Sequence, residues 1–166
     1  MNFQGKKCLI AYFSRKGNNY SSGSIVNLPI GNTAVIAKMI ADVTSGDLFC
    51  IDTINPYPKD YGQTADVAGQ ELRCNARPGL LNHVVDMGVY QVVFLGYPNW
   101  CGTMPMAVLT FLEEYDFSGK MIVPFCTHQG SGLGSSKRYC EALSEYRIGG
   151  CHCLSWVKCK KCEKRS

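Results

Sequence analysis

No apolar run in this sequence approaches the roughly 20 residues that a membrane-spanning helix requires. Its opening, MNFQGKKCLIAYFS, holds only a short apolar stretch that passes directly into turn residues without a small-residue cleavage site. No secretory leader is expected, and a soluble, cytoplasmic protein with no membrane partner is. There is neither a GxxxxGK[ST] phosphate loop nor a GxGxxG fingerprint, which argues against a nucleotide triphosphatase and against an enzyme built first around a dinucleotide. A basic stripe is missing too. The formal net charge is +4, but residues 1–157 carry twelve Lys/Arg against twelve Asp/Glu, and the whole excess falls in KCKKCEKRS at 158–166. A nucleic-acid-binding body would carry positive charge on the fold itself, so no nucleic-acid partner is expected.

What is present fits one domain: 166 residues, 46% hydrophobic, are enough for a sizeable core and too few for two ordinary ones. Outside a secretory context the ten cysteines read as reduced thiols. Cys8, Cys50, Cys126, Cys151 and Cys153 fall within apolar runs, where buried, unreactive thiols are the ordinary outcome. Five such runs, at residues 8–13, 48–54, 92–97, 121–126 and 151–157, have the length and the Val, Ile, Phe and Leu content of strands covered on both faces. Helices are predicted between them. Residues 33–44 align Val35, Ile36, Met39, Ile40 and Val43 on one stripe, with Asn32 suited to cap the start and Gly46 to close the end. Residues 104–115 begin with Pro105 in a first helical turn, and 60–75 and 135–146 are further candidates. Strands alternating with helices along the chain define an α/β class with a doubly wound parallel sheet.

In such sheets ligands bind beyond the carboxyl ends of the strands. Three segments there are distinctive. After the first strand comes SRKGNNY, a loop to Ile30, then Gly31-Asn32-Thr33 opening a helix. Glycine, hydroxyls and helix-start N–H groups can cradle a phosphate, although Gly-Asn-Thr also serves as an ordinary cap. After the third strand comes GYPNWCGTMP, an uncharged wall with an aromatic, an amide and two glycines that suits a flat heteroaromatic ring. After the fourth comes THQGSGLG, rich in backbone donors.

The motifs YFS…GNT, FLGYPNWCGTMPM and PFCTHQGSGLG resemble the flavodoxin-like FMN-binding family, in its subgroup with an extended first loop, over residues 7 to about 140. The resemblance implies a flavodoxin-like five-stranded parallel sheet in the order 2-1-3-4-5 with helices on both faces. It also implies non-covalent FMN, its phosphate on the first loop and its isoalloxazine between the second and third. Carried over by position, Ser14, Arg15, Asn32 and Thr33 match the phosphate loop, Pro98, Asn99, Trp100, Gly102 and Thr103 the second loop, and Thr127, His128, Gly130, Ser131 and Gly132 the third. Two departures stand out. Cys101 occupies a place where relatives commonly carry a second aromatic, which would set a thiol near the flavin. Relatives also continue past the fifth strand into a terminal helix, whereas here Trp156-Val157 meets the charged tail. The expected division is therefore a flavodoxin-like FMN-binding domain at 1–157 and a basic cysteine-containing tail at 158–166.

Without that helix, Leu154, Trp156 and neighbouring apolar residues of the third and fourth strands would form a bare patch, and a homodimer through it is expected. His128 has two readings, a donor to a reduced flavin or a loop histidine bonded to backbone. Cys151, Cys153, Cys159 and Cys162 have a spacing some zinc sites tolerate, but alternation on a buried strand favours no metal. His83 and His152 read as structural, and Glu113-Glu114 as a solvated helix end. The expected function is electron transfer or FMN-dependent oxidoreduction, with a redox partner protein or with NAD(P)H and a small-molecule acceptor. The competing classes are a flavin-free α/β binding module and a zinc-stabilised interaction protein. The second and third loops hold no Asp or Glu, which tilts the reading toward a reductase or a less reducing carrier, because a strongly reducing carrier uses acidic loops to disfavour the anionic reduced cofactor. No catalytic residue is singled out.

Overall fold

The structure is a computed structural model and describes residues 3, 5–21, 23–136, 138–139 and 152–155. Its main sheet is parallel and five-stranded, in the order β4-β1-β5-β6-β7, from β1 (Cys8–Tyr12), β4 (Asp47–Cys50), β5 (Val92–Pro98), β6 (Met121–His128) and β7 (His152–Ser155). Numbering only these five by chain order gives 2-1-3-4-5. The apolar runs became strands because every second side chain on each face finds cover. Leu9, Ala11, Val93, Leu95, Tyr97, Ile122 and Cys126 build the core on one face. Cys8, Ile10, Val92, Phe94, Val123 and Phe125 build it on the other.

Helices lie on both faces. Helix α1 (Asn32–Thr44) packs Ala37, Ile36 and Ile40 onto the second face. Helices α2 (Tyr61–Arg73) and α3 (Met106–Glu114) serve the first, through Leu72 and through Ala107, Val108 and Phe111. Among the described residues no helix is long and apolar enough to cross a membrane.

Several local expectations are corrected. Residues 17–28 are not a plain loop: β2 (Gly17–Ser21) and β3 (Ser24–Leu28) pair as an antiparallel hairpin separate from the main sheet. The strand expected at 48–54 ends at Cys50, and beyond it Thr53 makes only an isolated bridge to Leu80. Helix α1 is capped by Gly31, not Asn32, and closes through Ser45 in the left-handed region (φ 53°), not through Gly46. Pro105 is the N-cap of α3, just outside its first turn. Of the helix expected at 135–146, residues 137 and 140–146 lie outside the described residues, as do residues 156–166 with Trp156 and the tail. The side chain of Leu154 and all of Trp156, which the expected bare patch names, lie outside the described residues, while Phe94, Val123 and Phe125 of β5 and β6 are buried. Phe3 lies edge-on against Phe94 at 5.2 Å.

Candidate functional site

A cavity of about 180 Å³ opens where β1, β5 and β6 end, and it gathers the three expected segments. Ser14, Arg15, Asn32 and Thr33 line it from the first, Pro98, Asn99 and Trp100 from the second, and Thr127, His128 and Ser131 from the third. Gly102, Thr103, Gly130 and Gly132 are not among the residues that line it. Asn19, Tyr20, Tyr61 and Gln129 also line it and were missed by the sequence reading.

The first segment owes its shape to a cap delivered from a distance. A helix leaves its first N–H groups without internal partners, and a side chain at the N-cap usually takes one. Here Gly31 has no side chain to offer, and Ser14 Oγ accepts from Ala34 N at 3.0 Å instead. No side chain fits at position 31: a Cβ there would sit 2.3 Å from Ser14 Oγ and 2.5 Å from the Arg15 carbonyl oxygen. That contact brings the β1 loop onto the helix start. The Thr33 and Thr127 hydroxyls are both buried and lie 2.8 Å apart, so the first and third segments touch through one hydrogen bond.

Arg15 is engaged by the backbone. Its Nη1 donates to the Asn18 carbonyl, and its Nη2 to the carbonyls of Pro58 at 2.7 Å, Lys59 at 2.5 Å and Asp60 at 3.4 Å. Burial lowers its pKa, with Asp60 partly offsetting the effect.

In the second segment Trp100 and Thr103 exchange backbone hydrogen bonds at 2.8 and 3.0 Å around Cys101 (φ 51°) and Gly102 (φ 81°). Two consecutive positive φ values make a tight primed-type turn. This turn presents Trp100, whose ring lies edge-on to Phe13 at 5.1 Å and to Tyr57 at 5.0 Å. Tyr57 is fixed from behind by donating to Glu71 at 2.7 Å; burial and then that carboxylate push its hydroxyl well above the ordinary tyrosine range. Cys101 lines a smaller neighbouring cavity of about 90 Å³ beside Tyr61 and Trp100, not the main one. Thr103 Oγ1 is buried and is without a hydrogen-bond partner among the described residues.

The third segment closes on the second. Asn99 N donates to the Thr127 carbonyl at 2.9 Å, Asn99 Nδ2 to the Gly132 carbonyl at 2.7 Å, and Ser135 N to the Gly102 carbonyl at 2.8 Å. His128 Nδ1 accepts from Gly130 N and Gly132 N, both at 3.0 Å. An Nδ1 that accepts carries no hydrogen, so this network places a ring hydrogen on Nε2. Of the two readings of His128, the backbone-bonded one describes Nδ1. Among the described residues no Asp or Glu lines the cavity.

The remaining candidates have structural roles. Glu113 forms a two-pronged pair with Arg77, at 2.7 Å on each side, and Glu114 Oε1 lies 2.5 Å from His83 Nδ1, so neither is a plain solvated helix end. Cys151, Cys159, Cys162 and the side chain of Cys153 lie outside the described residues.

Comparison with known proteins agrees with this architecture. The flavodoxin family profile matches residues 7–148. The chain belongs to the flavodoxin family. Among solved structures, it is similar to a candidate flavoprotein from Bacteroides eggerthii DSM 20697, with 28% identity and a TM-score of 0.74 over 90% of this chain and 89% of that one. A candidate flavoprotein from Bacteroides uniformis ATCC 8492 shares 25% identity, with a TM-score of 0.72 over 95% and 96%. A flavoprotein in complex with FMN from Lactobacillus acidophilus NCFM shares the fold at 21% identity, with a TM-score of 0.61 over 91% of each chain. None of the curated proteins compared matches the chain.

Proposed function

We propose that this chain binds FMN non-covalently in the cavity at the ends of β1, β5 and β6 and uses it for electron transfer or oxidoreduction. The observation that carries the reading is the first segment. Gly31 leaves room for nothing larger, Ser14 supplies the cap from outside the helix, and the Ser14, Asn32 and Thr33 side chains all face one cavity. Because Ser14 Oγ accepts from Ala34 N, its own hydrogen remains for an anion; hydroxyls, an amide and a helix start are the donor set a phosphate monoester needs. Trp100, braced by Phe13 and Tyr57, supplies a firm aromatic surface for a planar ring. The flavodoxin family and the FMN complex of the Lactobacillus acidophilus protein favour the same cofactor.

When bound, FMN supplies the one- and two-electron chemistry, and the protein supplies binding, orientation and electrostatics. Among the described residues no carboxylate lines the cavity, so none of them opposes negative charge on the cofactor from its wall. This favours an FMN-dependent NAD(P)H oxidoreductase with a small-molecule acceptor over a strongly reducing carrier that serves a redox partner protein.

The test compares FMN with riboflavin. Wild type should prefer FMN clearly, and Thr33→Ala should narrow that preference about tenfold or more, since a hydrogen bond to a charged group contributes about 1.5–3 kcal/mol. Equal affinity of wild type for the two flavins in a fluorescence titration would refute the phosphate assignment.

A further inference from the structure

We propose that a second cavity, beyond the ends of β1 and β4 and separate from the cofactor site, binds an aliphatic carboxylate, with its chain against Ile30, Ile54 and Leu81 and its head group toward Lys16 and Lys59. The inference goes beyond the FMN reading and does not depend on it.

The cavity has a volume of about 680 Å³, within the range of small-molecule sites. Of the residues that line it, only Ser14 and Arg15 also line the cofactor cavity. Its aliphatic wall follows from strand alternation. Beyond β4 the chain runs antiparallel to residues 79–81: Thr53 bridges Leu80, Ile54 N donates to the Gly79 carbonyl at 2.9 Å, and Leu81 N donates to the Asp52 carbonyl at 2.8 Å. Successive side chains on such a pair point to opposite faces. Thr53 and Leu80 point inward and are 7% and 5% exposed, whereas Ile54 and Leu81 point outward and are 62% and 58% exposed. Ile30, just ahead of α1, joins them at 59%. All three line the cavity, and none belongs to either cluster of the core. Large aliphatic side chains grouped around one concavity and unused by the core mark a binding surface. Pro29 and Pro56 stiffen its wall, so less entropy is lost when a ligand enters.

The polar groups define the other half of the ligand. Tyr12 and Cys50, the last residues of β1 and β4, line the cavity where the strands end, and Cys50 Sγ donates to Asp52 Oδ2 at 3.7 Å. Burial, and then Asp52, push the Cys50 thiol up to about 11, so no thiolate faces the ligand. The rim is positive. Lys16 and Lys59 are exposed and line the cavity, and Arg15 draws the second of these segments toward the first by donating to the Lys59 carbonyl. Among the described residues neither ammonium group is ion-paired, and Asp52 is the one carboxylate in the lining. The balance of charge therefore favours an anion. A hydrocarbon chain ending in a carboxylate matches both halves, and the concave shape suits a single chain better than a flat surface.

Decanoate is the probe, titrated calorimetrically into the full chain with and without FMN. We expect saturation at one decanoate per chain in both states and much weaker binding of decanol, which lacks the charge. Lys16→Gln and Lys59→Gln should each weaken decanoate about threefold, the scale of one exposed charge pair, and Asp52→Asn should tighten it by a similar factor. Ile54→Asp and Leu81→Asp should each weaken it about tenfold or more without lowering the urea midpoint, because both side chains are exposed. The proposal is overturned if decanoate binding does not saturate, if decanol binds as well, or if the two aspartate variants bind decanoate as wild type does. Two other results also overturn it. One is a dimer in light scattering that Ile54→Asp dissociates, which would give the surface to a second copy of the chain. The other is sedimentation with phosphatidylglycerol vesicles that Ile54→Asp abolishes and decanoate does not displace, which would give it to a lipid surface. A chain that saturates with decanoate and takes up no FMN would refute the functional reading alone.

Discussion

Gly31→Ala is expected to weaken FMN binding about a hundredfold. The backbone at Gly31 (φ −68°, ψ 147°) is open to any residue, so the effect is purely one of space. The added Cβ would lie 2.3 Å from Ser14 Oγ, 2.5 Å from the Arg15 carbonyl oxygen and 2.9 Å from the Arg15 carbonyl carbon. Ser14 can turn away only by giving up the Ala34 N–H, and the Arg15 backbone can move only by opening the β1 loop from the helix start. Overpacking of this kind costs about 1–3 kcal/mol, and here the obstructing atoms include backbone, which places the effect toward the upper end. The loss is read by titrating FMN into wild type and variant; unchanged affinity would show that the segment does not cradle the cofactor. Riboflavin affinity should fall less, because the damage is confined to the phosphate end.

Gly134→Ala is expected to have an effect of similar size by a different route. Gly134 has φ +55°, a conformation that adds about 1–2 kcal/mol for a residue with a Cβ. That Cβ would also lie 2.0 Å from the Gly102 carbonyl oxygen, the acceptor of Ser135 N. The third segment must then lift off the second, and the ring-binding half of the cavity opens. We expect FMN and riboflavin affinity to fall together, by about a hundredfold, since the phosphate end is untouched. The urea midpoint of the flavin-free protein should shift little, because a surface segment opens without unfolding the sheet. A large fall in the midpoint with flavin affinity intact would contradict this division of roles. Together the two glycine variants separate the site's ends: one spoils the preference for FMN, the other the affinity for any flavin.

The parallel sheet was legible because its central strands are covered on both faces and therefore read as near-continuous apolar runs. The hairpin was not. GNNYS and SIVNL carry few apolar residues, and in the structure both strands are half-exposed or exposed, so burial left no pattern to read. The one signal was the dipeptide Ser22-Gly23 between two five-residue segments, a turn combination. Missing the hairpin meant missing Tyr20 among the residues that line the cavity.

The second and third segments were legible as a neutral wall, and Pro98, Asn99, Trp100, Thr127, His128 and Ser131 do line the cavity. What could not be read was which nearby atom satisfies which donor. Asn32 has the right side chain for a cap, yet Ser14 takes that role from twenty positions upstream, because the crowded approach of the β1 loop leaves Gly31 as the only residue that fits. Arg15 suggested a phosphate ligand by charge alone. Its carbonyl partners at Pro58 to Asp60 lie in a stretch with no periodicity, more than forty residues away, and only the folded chain brings them to it. Similarly, nothing in THQGSGLG announced that His128 would hold its own loop through Gly130 N and Gly132 N.

The central claim is that this cavity holds FMN, and it is tested most directly by titrating FMN into flavin-free protein while following the visible absorption and the fluorescence of the flavin. The account predicts saturation at one FMN per chain, with the flavin fluorescence quenched by the Trp100 wall and the quenching lost in Trp100→Ala. No saturable binding, or binding whose fluorescence is the same in wild type and Trp100→Ala, would contradict it.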